Sequence, residues 1–234
     1  MDGAAKARAR AAWHAAPELR TAAAPAPLHT SLELHHTPWW RHIYLDYRRY
    51  KATGDSAARA QGFWASCVYR LSRAAVYGAQ PRFLRAPLSI AAALAQKLTE
   101  ILTGISIPVE CEIGEGLYIG HFGTIILPRE GRIGHNCSMA QNVTIGAAGK
   151  GESRGAPTIG NRVFIGAHSV IVGKVQIGED AMICAGSVVT RDVAPRAVVV
   201  GNPARVVSFE GSFDHVVYDG IALDADRQAS RDAE

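Results

Sequence analysis

A single histidine interrupts the otherwise apolar run "IGHFGTIIL", residues 119 to 127. An imidazole titrates near pH 6.5, the range suited to a general base at neutral pH. His121 is therefore the first candidate for chemistry, and the competing reading is a histidine packed in a turn. Four cysteines, Cys67, Cys111, Cys137 and Cys184, show neither CxxC nor dense framework spacing. They read as reduced thiols rather than zinc ligands or disulfides, with Cys111 and Cys137 as packing residues, and no metal is expected.

The elements that must position His121 follow from a change of period at about residue 104. Every sixth residue is aliphatic or Met: Ile107, Ile113, Ile119 and Ile125, then after a two-residue slip Ile133, Met139 and Ile145, then after a longer interruption Ile159, Ile165, Ile171, Ile177, Ile183 and Val189. Six is a multiple of the strand's period of two and cannot hold one face of a 3.6-residue helix. Short strands joined by tight Gly-rich turns, repeated in this way, make a parallel β-solenoid. The interruption "AAGKGESRGAP" is too polar and Gly-rich for a core and long enough to cover a site.

Upstream, apolar residues recur at three- and four-residue spacing between residues 35 and 103, with Gly54, Gly78 and Gly104 as stops. This predicts three to five helices packed as a bundle around Trp39, Trp40, Phe63 and Trp64. The predicted organisation is a flexible extension over 1–28, an α-helical domain over 29–104, a β-helix over 105–207 and a C-terminal tail over 208–234. The 234 residues are 48% hydrophobic and 20% charged, a globular composition. The formal charge of +4 is scattered and aromatics are 7%, which argues against nucleic-acid binding. The longest apolar stretch, "APLSIAAALAQ", is about half the ~20 residues of a membrane span. No secretory h-region stands in the Ala- and Arg-rich N-terminus, and a cytoplasmic location is expected.

The repeat is a hexapeptide repeat, and the sequence resembles the left-handed β-helix acyltransferases, in particular the serine acetyltransferase-like branch. The resemblance covers about residues 43 to 207 and rests on "GFWASCVYRL", "IGEGLYIGHFGTIIL", "NVTIGAAGKGESRGAPTIGNRVFIGA" and "ICAGSVVTRDVAPRAVVVGNPARVV". It implies a mostly β fold, a left-handed parallel β-helix preceded by an α-helical N-terminal domain. It also implies acetyl-CoA as co-substrate and His121, at a corner of the triangular coil, as general base. The family pattern places an Asp fifteen residues before this His; here the position is Ser106. One coil is three hexapeptides, so Gln141 stacks over His121 about 4.8 Å away as a second contact. Glu115, Glu130 and Asp46 are candidate substitute carboxylates, and Asp46 also resembles an acceptor-contacting Asp of the helical domain. For the coenzyme, the resemblance implies backbone contacts at Ala167 and Ala185 and side-chain contacts from Thr190, Arg191 and Arg205. Lys150 and Arg154 are within reach of the same groove. His168, in "IGAHSVI", lines the groove or a turn, and His135 reads as solvated.

Three functions remain at this stage: an O-acetyltransferase acting on a sugar, a polysaccharide or a related small acceptor; L-serine O-acetyltransferase; and a non-catalytic solenoid that serves as an assembly partner. The family holds the serine zwitterion with charged groups at positions that are Gly120, Gly155 and Ala156 here. On that ground a bulkier, less charged saccharide acceptor is expected, because an unpaired buried charge is costly. The resemblance further implies a homotrimer with sites between subunits, or a dimer of such trimers.

Overall fold

The computed structural model describes residues 38–79 and 81–232; the expected N-terminal extension lies outside them. Residues 105–208 wind into a three-sided parallel prism. Its first face stacks β1 (Ile105–Ser106), β4 (Ile125–Ile126), β7 (Val143–Gly146), β10 (Val170–Val172) and β13 (Val188–Val189). The second stacks β2 (Glu112–Ile113), β5 (Arg132–Ile133), β8 (Thr158–Ile159) and β11 (Gln176–Ile177). The third stacks β3 (Tyr118–Ile119), β6 (Ser138–Met139), β9 (Phe164–Ile165), β12 (Met182–Ile183) and β14 (Val198–Val200), with β15 (Arg205–Ser208) closing it antiparallel.

All thirteen hexapeptide slots point inward, and each is 7% exposed or less. Parallel register sets like on like, as in Ile113 on Ile133 and Ile119 on Met139. Each buried aliphatic side chain contributes about 1.5–3 kcal/mol relative to exposure, so the stacked column drives the winding. The small positions four residues on, among them Cys111, Cys137, Ser169, Ala181 and Ser187, are fully buried. Burial pushes the Cys111 and Cys137 thiols up to about 12, so both stay protonated packing groups.

Three helices cap the first coil: α1 (Trp39–Ala52), α2 (Gln61–Tyr77) and α3 (Arg82–Thr103), the last closing on Gly104 in a left-handed conformation. The first coil has no coil above it, so one edge of its backbone groups would go unpaired. The helices supply the partners. The Tyr50 hydroxyl accepts the Ile119 N–H at 3.0 Å and donates to the Ile119 carbonyl at 2.9 Å. Tyr69 donates to the Cys111 carbonyl at 2.6 Å, and Arg70 to those of Ile113 and Gly114 at 2.7 and 2.6 Å. Close approach requires Gly62, where a Cβ would stand 2.5 Å from the Ile119 Cβ.

The tryptophans do not form a bundle core. Trp39, Trp40 and Trp64 are 47%, 58% and 48% exposed. The helices form a veneer whose buried side faces the prism through Tyr50, Ala65 and Tyr69, so they have no separate centre for the indoles to fill.

His42 of α1 lies inside this veneer, 6% exposed, with neither ring nitrogen hydrogen-bonded. Burial first, and the Arg70 charge second, lower its pKa to about 3. Between pH 6.5 and that value the unfolded chain binds a proton that the folded chain refuses. Stability is therefore expected to fall as pH drops below 6.5, by up to ~1.4 kcal/mol per pH unit from this group. Urea titrations at pH 7 and 4.5 should show a smaller pH slope in His42→Leu; an unchanged slope would assign the acid sensitivity elsewhere.

After β15 the chain folds back along the third face. The Ser212 N–H donates to the Asp180 carbonyl at 2.8 Å, and the Ser212 hydroxyl to the Arg162 carbonyl. Phe164 and His215 lie 5.1 Å apart, ring centre to ring centre. Asp180, fully buried, is bound at 2.9 Å by Arg162 and at 3.2 Å by Arg227 of α4 (Ala225–Asp232). Asp219 then reaches Arg48 of α1, so the tail runs as a strap from the later coils back to the helices.

Candidate active site

The edge where the third face turns into the first holds His121. Its turn, residues 120–124, is stacked on 140–142, then on 166–168 and 184–186. The Gly120 N–H donates to the Met139 carbonyl, Ala140 to Ile165, and Gly166 to Ile183, each at 2.8–3.0 Å. His121 and Phe122 are exposed on this edge, Phe122 at 66%. Gln141 stands under the turn, 2.7 Å from where a Cβ on Gly123 would lie. The structure thus brings His121, Gln141, Ala167 and Ala185 onto one edge. A Cβ on Gly166 would meet the Ala185 nitrogen at 2.5 Å, so glycine is required there for the turns to stack; beside it Ala167 is half-buried and Ala185 exposed. Arg205 is exposed where the 201–204 turn passes beneath β13.

Thr190, Arg191, Lys150 and Arg154 are exposed one full side away, on the edge where the first face turns into the second. The loop there is a short antiparallel hairpin, with paired 3.0 Å hydrogen bonds between Ala148 and Gly155 and a 3₁₀ turn over Gly151–Ser153. Between the two edges lies the outer side of the first face, where Ile126 is 46% exposed. Within one chain the His121 group and the Arg191 group are therefore apart.

Ser106 pairs with Ile126 on the first face and lines a cavity of about 320 Å³ shared with Tyr69, Gln96 and Glu110. Among the described residues, nothing hydrogen-bonds the His121 imidazole, Ser106 included. His135 is half-buried, its Nδ1 accepting the Glu115 N–H at 3.3 Å. Among the described residues no group of three or more His, Cys, Asp or Glu side chains could hold a metal ion.

Asp46 is not an acceptor contact. It is fully buried, its Oδ2 bound by Arg70 Nε at 3.0 Å and by the Ser66 hydroxyl, its Oδ1 by Arg70 Nη2 at 3.2 Å and the Leu117 N–H at 3.0 Å. All its lone pairs are committed to joining α1, α2 and the first coil.

The carboxylate that does reach the His121 edge is Asp55, which sequence reasoning missed. It is exposed in the α1–α2 loop and accepts the Tyr118 hydroxyl. Burial, then this hydrogen bond, push Tyr118 up to about 12. That hydroxyl would lie 3.3 Å from a Cβ on Gly120, the neighbour of His121. The Arg49 guanidinium, 1% exposed and with Nη2 donating to the Ser138 hydroxyl at 2.6 Å, lies 5.4 Å from the Tyr118 ring centre and fixes its position. The available signal was a lone acid in a polar loop, "TGDSAARAQGF", just ahead of the Gly62 contact.

A prism of hexapeptide coils with a histidine on a small-residue edge defines a hexapeptide-repeat transferase. The family model described as bacterial transferase hexapeptide (six repeats) matches residues 156–191. The chain is 38% identical over 118 residues to a serine acetyltransferase of Synechococcus elongatus, covering 50% of this chain and 48% of that protein. It is 35% identical over 119 residues to the Helicobacter pylori serine acetyltransferase, covering 51% of this chain and 69% of that protein. In structure it is similar to the Neisseria gonorrhoeae serine acetyltransferase in complex with serine, with a TM-score of 0.62 and 29% identity, covering 76% of this chain and 72% of that one. The chain belongs to the serine acetyltransferase family, whose β-helix is left-handed. It spans about half the length of the Synechococcus relative.

These relatives overturn the expectation of a sugar or polysaccharide acceptor, since all three are serine acetyltransferases and one was solved with serine bound. The expectation counted charges lost at Gly120, Gly155 and Ala156. The fold brings the Tyr118 hydroxyl, which donates to the Asp55 carboxylate, to 3.3 Å from where a Cβ on Gly120 would lie, so a count of charges at those three positions leaves out a carboxylate carried by another element.

Proposed function

We propose that the chain transfers the acetyl group of acetyl-CoA to the hydroxyl of L-serine, with His121 as general base. The observation that carries this reading is His121 exposed on a small-residue edge with the Asp55 carboxylate close by, in a chain of the serine acetyltransferase family. Acetyl-CoA is the co-substrate of that family. His121 takes the hydroxyl proton as the serine oxygen attacks the thioester carbonyl. The carbon–sulfur bond then breaks, and the imidazolium returns the proton to the departing thiolate, giving O-acetylserine and the free thiol. Asp55 offers its negative charge to the serine ammonium. The backbone at Ala167 and Ala185 is open to the pantetheine arm, and Thr190, Arg191 and Arg205 offer contacts to its phosphate end.

The separation of the His121 and Arg191 edges supports a homotrimer, in which the second edge of one copy closes over the first edge of the next. Light scattering should then find a particle three times the 25.0 kDa chain mass, or six times if trimers pair; a monomer at micromolar concentration would overturn the shared site. Thiol release from acetyl-CoA should depend on L-serine, with kcat/KM of about 10⁴ M⁻¹s⁻¹ or above, the ordinary enzyme range. Thiol release that L-serine does not raise above the buffer rate would overturn the reading.

A further inference from the structure

The turn that carries His121 is anchored thinly. Gly120 and Ile125 bond to neighbouring backbone at 3.0 and 3.1 Å, to Met139 and Gly104. Between them, among the described residues, the hydrogen bond tying the turn to the rest of the prism runs from the Thr124 N–H to the Asn142 side-chain oxygen, at 3.1 Å. The same amide places its nitrogen 3.4 Å from His168 Nε2. An amide has one oxygen and one nitrogen, so the Thr124 bond decides which end meets His168. Asn142 then donates and His168 Nε2 accepts, which puts the His168 proton on Nδ1. A rotation of the amide would lose both contacts together.

His168 also sits at φ 60, in the left-handed region that glycine occupies freely and a side chain at a cost. Gly186, at the equivalent place in the next coil, has φ 70. The His168 N–H donates to the Gln141 carbonyl at 3.0 Å, so the imidazole is held one coil below the 140–142 turn and two below the turn of His121.

We propose that His168, acting through Asn142, is a positioning residue for His121: it locks the Asn142 amide, and the amide fixes the end of the His121 turn. This rests on the reading of His121 as base. Removing the imidazole leaves the amide free to rotate and the turn free to shift, and small misplacements of a reacting group lower turnover steeply.

The variants exploit the backbone. His168→Gly relieves the left-handed conformation, so a merely structural histidine predicts unchanged or higher thermal stability and unchanged turnover. The positioning role predicts that kcat with acetyl-CoA and L-serine falls about 5- to 30-fold while KM for acetyl-CoA stays within about twofold. Asn142→Gly should fall at least as far, and the double variant no further than Asn142→Gly alone, because the two residues act in series. His168→Asn, which tolerates the same backbone and keeps an acceptor, should recover most of the loss. Amide exchange at Thr124, measured on the full chain without substrate, should speed up in His168→Gly. Wild-type kcat in His168→Gly, or unchanged Thr124 exchange, would overturn the proposal. The exchange result stands even if the chain fails to acetylate serine, so the two readings fail separately.

Discussion

Replacing His121 with alanine is expected to lower turnover by about 10²–10⁴-fold while leaving coenzyme binding and thermal stability close to wild type. The side chain is exposed on its edge and no described residue hydrogen-bonds to it, so its removal opens no cavity and orphans no partner. What is lost is the acceptor for the hydroxyl proton, since an alcohol is a poor nucleophile at neutral pH unless a base takes that proton. Ser106→Ala should cost far less than His121→Ala, because Ser106 faces the cavity beside β1 rather than the imidazole. Steady-state rates and calorimetric coenzyme titration check both; an alanine variant with wild-type turnover would return His121 to a packing role.

The second large effect is structural. Asp46→Ala should destabilise the chain by about 3–5 kcal/mol, because it strands the Arg70 charge, 3% exposed, in the α1–α2 seam. The Ser66 hydroxyl and the Leu117 N–H lose their acceptor in the same step. Urea unfolding of the wild type and variant measures it. A variant of normal stability with a raised KM for serine would place Asp46 at the acceptor after all.

The prism was legible because the six-residue period maps directly onto inward positions, and every slot from Ile107 to Val189 is buried as the pattern requires. The helical part was less so. Apolar spacing located α1, α2 and α3 and their glycine stops, but it carries no record of what each apolar face meets. Trp39, Trp40 and Trp64 therefore read as a core that a veneer of helices does not have. The two aspartates show the same limit for charge. Asp46 is neutralised by an arginine 24 residues away, while Asp55 reaches Tyr118 across 63 residues. Reading positions one at a time shows neither partner, so the first was taken as free to meet a ligand and the second was overlooked. The acceptor was misjudged for that reason too: a charge lost at Gly120 can be supplied from another element.

The strap over the third face changes how the molecule should come apart. A solenoid is held by nearest-neighbour contacts, so its end coils can peel away one at a time while the middle stays wound. Here the tail is pinned by Arg227 to Asp180, beneath Arg162, and by Asp219 to Arg48 of α1. A last coil that loosens must release the helices, and helices that lift must slacken the last coil. What would be a fraying stack thereby becomes a closed loop, and its two ends should melt together in one transition.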